Sequence, residues 1–128
     1  MSFLKGKMVL ITAGPTYERI DDVRFIGNFS SGKMGFALAE SALKMGAVVT
    51  LVTGPTCLQC NTAIDRIDIE SANDMYSLVT DLSSKQDVII MSAAVADYTP
   101  KAKYDGKIKK NDDSMSIELV RTKDILKE

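Results

Sequence analysis

Two apolar, β-branched runs, Met8-Val9-Leu10-Ile11-Thr12-Ala13 and Ala47-Val48-Val49-Thr50-Leu51-Val52-Thr53, each end at a Gly-Pro pair, Gly14-Pro15 and Gly54-Pro55. Such runs are too short for buried helices and lack the alternation of a half-solvated strand. They read as central strands covered on both faces. Between them, from Lys33 onward, Met34, Ala37, Leu38, Ala42 and Met45 recur at three- and four-residue steps. That spacing predicts a helix buried along one stripe, with Gly46 as its stop. The pattern then repeats. Arg66-Ile67-Asp68-Ile69 is a shorter alternating strand. Ala72 to Leu82 is a helix capped by Ser71, with Met75, Leu78, Val79 and Leu82 on one face. Val88 to Ser92 is a fourth strand. Ser116 to Val120 alternates like a half-buried edge strand, and Asp124-Ile125-Leu126 opens a further helix. Strands alternating with helices at this spacing predict an α/β fold, a Rossmann-like three-layer architecture with a mostly parallel sheet.

With 128 residues, 45% of them hydrophobic, the chain supports one domain with a real core. Its net charge of −1 gives no bulk attraction to nucleic acid or to an anionic membrane, so any anion must be held by a local site. No apolar run approaches the ~20 residues of a membrane span, and the first residues lack the pattern of a signal peptide. The expected location is the cytoplasm. Cys57 and Cys60 form one C-x-x-C, and the chain holds no third cysteine and no histidine, so they read as reduced thiols and no metal site is expected.

In an open α/β sheet the ligand lies beyond the carboxyl ends of the strands, which directs attention to 14–35 and 93–110. The segment Thr16 to Phe29 shows no sustained period and reads as a long loop. It runs into Gly27-Asn28-Phe29-Ser30-Ser31-Gly32-Lys33-Met34-Gly35, whose small residues at a helix start offer amide N–H groups and the positive end of the helix dipole to a phosphate. The plainer alternative is a helix cap made by Ser30 or Ser31. Gly27 to Lys33 has Walker A spacing, but Met34 stands where a magnesium-binding hydroxyl is needed, which excludes P-loop chemistry. The dinucleotide signature G-x-G-x-x-G is absent after the first strand, and Thr53-Gly54-Pro55 supplies no acidic residue for a ribose. Without histidine, no Ser-His-Asp or Cys-His nucleophile is possible. What remains is a site of amides, Asn28, Arg24, Asp97 and lysines, suited to positioning and neutralising phosphate, and so to phosphoryl or nucleotidyl transfer. The lysines between 101 and 110 read mostly as solvating a loop, except Lys107, which follows Gly106 and opens Lys107-Ile108-Lys109-Lys110.

Thr12-Ala13-Gly14-Pro15-Thr16, then Ile20-Asp21, Val23-Arg24-Phe25-Ile26 and Asn28 to Gly35, then Ala93-Ala94-Val95-Ala96-Asp97-Tyr98 and Lys107 to Lys110, together resemble the phosphopantothenoylcysteine synthetases of coenzyme A biosynthesis. The resemblance runs through nearly the whole chain and implies a two-step ligase. The carboxylate of 4′-phosphopantothenate attacks the α-phosphate of CTP (ATP in most eukaryotic members) and pyrophosphate leaves. The amine of cysteine then attacks the acyl-nucleotide. Mg²⁺ accompanies the triphosphate. By the same resemblance Asn28 contacts the acyl carbonyl, and Lys107 serves the nucleotidyl-transferring half-reaction. Met91, Ser92, Ala93 and Asp97 bind the cytidine portion, and Ser30, Ser31, Gly32 and Gly35 hold phosphate. Gly27 departs from the Ser or Thr of many bacterial members. The family's synthetase domain continues past the Asp124-Ile125-Leu126 motif into a dimer-forming region. The expectation is therefore that residues 1–128 are the nucleotide-binding part of a stand-alone synthetase, cut short at its C-terminus and homodimeric when complete. The alternative function is a non-catalytic nucleotide-binding module or regulatory subunit.

Overall fold

A computed structural model of the chain describes residues 3–103 and 114–127. Its centre is a four-stranded parallel sheet of β1 (Met8–Ala13), β4 (Val48–Thr53), β5 (Asp65–Asp68) and β6 (Val88–Met91), in the order β5-β4-β1-β6. Met8 stands beside Val48 and Ala13 beside Thr53, while Val9 stands beside Val88 and Thr12 beside Met91.

The two faces of β1 and β4 are divided between helices, as period-two alternation requires. Val9, Ile11 and Ala13 of β1 with Val49 and Leu51 of β4 pack under α1 (Lys33–Lys44), together with Phe36, Ala39 and Ala42. Leu10 and Val52 face the other way, against Met75 and Val79 of α2 (Ala72–Ser83) and Ile125. Leu10, Ile11, Leu51 and Met75 are fully buried, each contributing roughly 1.5–3 kcal/mol relative to exposure. This is the expected three-layer α/β architecture. Val88 and Ile89 are each 38% exposed because β6 forms an edge of the sheet among the described residues.

The buried stripe of α1 differs from the one the periodicity suggested. Met34, Ala37 and Met45 are exposed, and Gly35, Phe36, Ala39 and Ala42 face the sheet with Leu38 half-buried. The small residues decide this: Gly35, Ala39 and Ala42 let the helix axis approach β1 closely, and Phe36, the large side chain of α1 that is fully inside, fills the space beside them with Leu38 and Leu43 at its margin. The C-terminus of α1 closes as expected on Gly46, at φ 91°, whose N–H donates to the Leu43 carbonyl while that of Ala47 reaches the Ala42 carbonyl. At α2 the expected Ser71 cap is present, reciprocated by Asp74.

Two short pairings lie outside the central sheet. In the segment read as an unbroken loop, β2 (Glu18–Arg19) and β3 (Phe25–Ile26) form a small antiparallel hairpin. Two-residue strands carry no readable period. The hairpin is made instead by its turn, where the buried Asp21 carboxylate accepts from the N–H groups of Val23 and Arg24 and pairs with the Arg24 guanidinium at 2.9 Å. The expected last strand is β8 (Leu119–Arg121). It does not join the central sheet but pairs antiparallel with β7 (Tyr98–Pro100) in a separate ribbon. The helix expected from Asp124 is one 3-10 turn, Ile125–Lys127.

Candidate active site

The chain leaves β1, crosses by α1 to β4 and β5 on one side, then returns by α2 to β6 on the other side of β1. The carboxyl ends of β1 and β6 therefore flank the point where the strand order reverses, where open α/β sheets hold their ligands. Both candidate loops meet there. Pro15 and Ala94 form a parallel bridge, and the Ala94 N–H donates to the Gly14 carbonyl at 2.8 Å.

Four glycines let three elements converge on this point. A Cβ on Gly35 would lie 2.3 Å from the Ala13 Cβ and 2.7 Å from the Ser92 Oγ, so the first turn of α1 rests directly on the ends of β1 and β6. At Gly54 a Cβ would fall 1.5 Å from the Pro15 carbonyl oxygen. Gly14 and Gly32 adopt φ of 76° and 86°, which side chains resist, and Gly32 sits against the Gly14 backbone. At Gly27 a Cβ would press at 3.0–3.2 Å on Tyr17 and Phe25, whose rings stack at 4.0 Å, so here the departure from Ser or Thr goes with a tight aromatic neighbour.

Gly32 is the N-cap of α1, so neither Ser30 nor Ser31 is; among the described residues no side chain caps this end and its first turn holds no acidic residue, the Lys33 N–H making only a long 3.4 Å contact to the Ser31 Oγ. Ser31 is exposed, Ser30 is half-buried, and both precede the open helix end. Thr56 ties the loop after β4 to this segment by donating to the Ser31 carbonyl at 2.9 Å. Gly35 is buried, serving close packing with its Cα while its N–H belongs to the first turn. The start of α2 contrasts with it: Ser71, Asp74 and the buried Glu18 carboxylate, which accepts from the Ala72 N–H at 2.9 Å, all occupy that end. An anion approaching the sheet meets one helix start lined with amides and one lined with carboxylates.

Asn28 is held at both ends of its amide. Its Nδ2 donates to the Ala94 carbonyl at 2.9 Å and its Oδ1 accepts from the Ser30 N–H at 3.0 Å. Ala94 takes one of the two Nδ2 protons. Asn28 thus joins the two loops that its place in the sequence leaves 66 positions apart.

The residues expected to bind the cytidine portion lie at the end of β6 and just after it. Ser92 donates its N–H and its Oγ to the Thr12 carbonyl, the latter at 2.8 Å, and the Ala93 N–H reaches the Thr12 Oγ1. Met91, Ala93, Val95, Ala96 and Asp97 line one wall of a cleft of about 270 Å³, while Ser92 lies behind it against β1. The other wall, 121–126, carries Arg121, Thr122 and Lys123, which lie between the expected strand and the expected helix, and Asp124, expected only as a helix start. The signal was present as a polar cluster after an alternating strand, yet its relevance depends on the pairing of β8 with β7. Lys107 lies outside the described residues.

Among the described residues no group of three or more Cys, Asp or Glu could hold a metal ion. Cys57 is exposed and Cys60 packs against the core, both as free thiols. Beside the cleft, a larger hollow of about 480 Å³ lies between the hairpin, the start of α2 and the ribbon. Arg19 and Glu70 form a bidentate pair on its rim. The hydrogen bond and charge of Glu70 hold the Arg19 guanidinium above its ordinary range, so it stays charged at any working pH.

The comparisons with known proteins agree with this fold. The family described as DNA/pantothenate metabolism flavoprotein C-terminal domain matches residues 4–128. The coenzyme A biosynthesis bifunctional protein CoaBC of Bacillus subtilis (strain 168) is 52% identical over 126 residues, covering 98% of this chain and 31% of its own. The crystal structure of the C-terminal domain of a CoaBC superposes with a TM-score of 0.86 at 50% identity, covering 99% of this chain and 59% of that one. Cab2, whose H337A mutant was solved in complex with phosphopantothenate-cysteine, shares the fold at 17% identity, with a TM-score of 0.73 over 91% of this chain and 57% of that one. The chain thus spans about a third of the length of the curated relatives it matches. With the family match over residues 4–128, the sequence identity and the superposed fold in agreement, the chain belongs to the DNA/pantothenate metabolism flavoprotein C-terminal domain family.

Proposed function

We propose that the chain carries the nucleotide-handling part of a ligase that joins 4′-phosphopantothenate to cysteine through an acyl-cytidylate. The observation that carries this reading is the meeting of Asn28 and the Ala93–Asp97 loop on the Ala94 carbonyl, beside an α1 N-terminus without a side-chain cap. In the first half-reaction the phosphopantothenate carboxylate attacks the α-phosphate of CTP and pyrophosphate departs. The amides of the first turn of α1, with Ser30 and Ser31 before them and Gly32 and Gly35 within them, receive phosphate, and Lys107 balances charge on the triphosphate. Met91, Ala93 and Asp97 form the wall for the cytidine, with Ser92 fixing that wall to β1. In the second half-reaction the cysteine amine attacks the acyl carbon and CMP leaves, while the second Nδ2 proton of Asn28 stabilises the oxygen on which charge develops.

Mg²⁺ fits this site as a companion of the triphosphate, since magnesium is commonly bound by one or two carboxylates plus substrate phosphates, and Asp97 and Asp124 are the carboxylates of the cleft. Bound there it would neutralise charge on the leaving pyrophosphate. A full-length homodimer in the cytoplasm is part of the same reading. It is supported by the exposed Val23, Phe25, Phe29 and Met34 near the site and by the lack, among the described residues, of any helix long and apolar enough to cross a membrane.

The test is pyrophosphate release by the full-length protein with CTP or ATP and phosphopantothenate, before and after cysteine. The expected outcome is release with CTP in the absence of cysteine and amide formation on its addition. Binding of CTP with no release under either condition would leave a non-catalytic nucleotide-binding module and refute the ligase.

A further inference from the structure

We propose that Thr16 is a positioning residue for this reaction, its hydroxyl fixing the Ala93–Asp97 loop at the Ala96 N–H and so the Ala94 carbonyl on which Asn28 is anchored; the inference rests on the function proposed above. Thr16 is fully buried just beyond the Gly14-Pro15 turn. Its N–H donates to the Ala94 carbonyl at 3.2 Å, and its Oγ1 accepts from the Ala96 N–H at 2.9 Å. The same Ala94 oxygen accepts from Asn28 Nδ2 at 2.9 Å. A carbonyl oxygen has two lone pairs, and here Thr16 and Asn28 take one each. Any shift of Ala94 therefore moves the anchor of Asn28 as well.

From the far side Thr122 completes the hold on the loop. Its Oγ1 donates to the Ala96 carbonyl at 2.6 Å and its N–H to the Asp97 carbonyl at 2.9 Å. Ala96 is thus gripped by two threonine hydroxyls, one from the end of β1 and one from the end of β8, and the next residue, Asp97, lines the cleft. A buried threonine that satisfies a loop amide is ordinarily structural. Thr16 differs because its hydroxyl ends on the loop that forms the nucleotide wall, two residues from the Ala94 carbonyl that its main-chain N–H shares with Asn28; the main-chain bond stays in any variant, so the side chain's own share of the hold is the Ala96 bond.

Thr16→Val keeps the shape and removes the acceptor, leaving the Ala96 N–H without its partner, whereas Thr16→Ser keeps the oxygen and loses only a methyl. The full-length wild type and both variants are compared for nucleotide KM, for the rate at which acyl-nucleotide becomes amide after cysteine is added, and for hydrogen exchange at the Ala96 amide. Thr16→Val is expected to raise the CTP KM about tenfold, to slow the amide-forming step several-fold and to speed Ala96 exchange, with Thr16→Ser close to wild type in all three. Equal behaviour of the two variants overturns the proposal. So does an unchanged KM with kcat reduced only in proportion to folded protein. If the wild type releases no pyrophosphate, the ligase reading fails separately. Equilibrium CTP affinity then tests the hold on the loop, with weaker binding by Thr16→Val than by Thr16→Ser supporting it and equal binding overturning it.

Discussion

Gly35→Ala sets two effects of opposite sign against each other at the point where α1 meets the sheet. In an exposed helix the change would stabilise by about 1 kcal/mol, because alanine loses less conformational freedom than glycine. Here the new methyl would stand 2.3 Å from the Ala13 Cβ, 2.7 Å from the Ser92 Oγ and 3.0 Å from the Ala13 Cα. The first of these falls about 1 Å inside ordinary contact, and neither Ala13 side nor backbone atoms have a rotamer into which to retreat. The helix start must therefore move off β1, which forfeits packing around Phe36 and Ala39 and costs about 3 kcal/mol, the upper end for overpacking. The net expectation is a loss of about 2 kcal/mol, or roughly 6–10 °C in Tm for a domain of this size. Urea denaturation with an unchanged m-value measures it. Because the displaced turn carries the amides assigned to phosphate, nucleotide affinity should fall in the same variant. Adding Ala13→Gly removes the worst clash and should recover part of both losses. A Gly35→Ala protein as stable as wild type, with nucleotide affinity intact, would refute the close-approach argument.

Asn28→Ala in the full-length protein should let acyl-nucleotide accumulate while the amide-forming step slows by about 10²-fold, read by quenching and separating the intermediate; equal rates for both half-reactions would remove Asn28 from its assigned role. Ser71→Ala should lower stability by about 1 kcal/mol in urea denaturation, since the α2 cap is lost while the Glu18 carboxylate remains. Glu18→Ala leaves the buried Ala72 N–H unpaired, with an expected loss of about 1–3 kcal/mol, and Glu18→Gln, which keeps an acceptor oxygen, should lose less in the same assay. Cys57→Ser should change neither stability beyond about 0.5 kcal/mol nor the metal content, which elemental analysis of the purified protein would show to be free of zinc.

The four parallel strands, both helices and the helix boundaries at Gly46 and Ser71 were legible in the amino-acid sequence. These elements are set by apolar runs and by local chemistry within a few residues, and the sheet then follows from the way strands alternate with helices. The stretch from Asn28 to Gly35 was also legible as a loop running into a helix start, and its likeness to a family followed from several long motifs in order. Only tertiary structure decided the rest. The face of α1 turned on how closely Gly35 can approach Ala13, a contact no period records. Two-residue strands such as Glu18–Arg19 and Phe25–Ile26 exist because a buried Asp21 makes their turn, and β8 left the central sheet because Tyr98–Pro100 offered it an edge. The partner of Asn28 lies 66 positions away and that of Thr16 lies 80 away. The cleft gained its second wall, Arg121 to Asp124, only through a ribbon joining distant segments. Local sequence encodes which elements form; hydrogen bonds between remote loops, made possible where glycines let backbones touch, determine how those elements become a site.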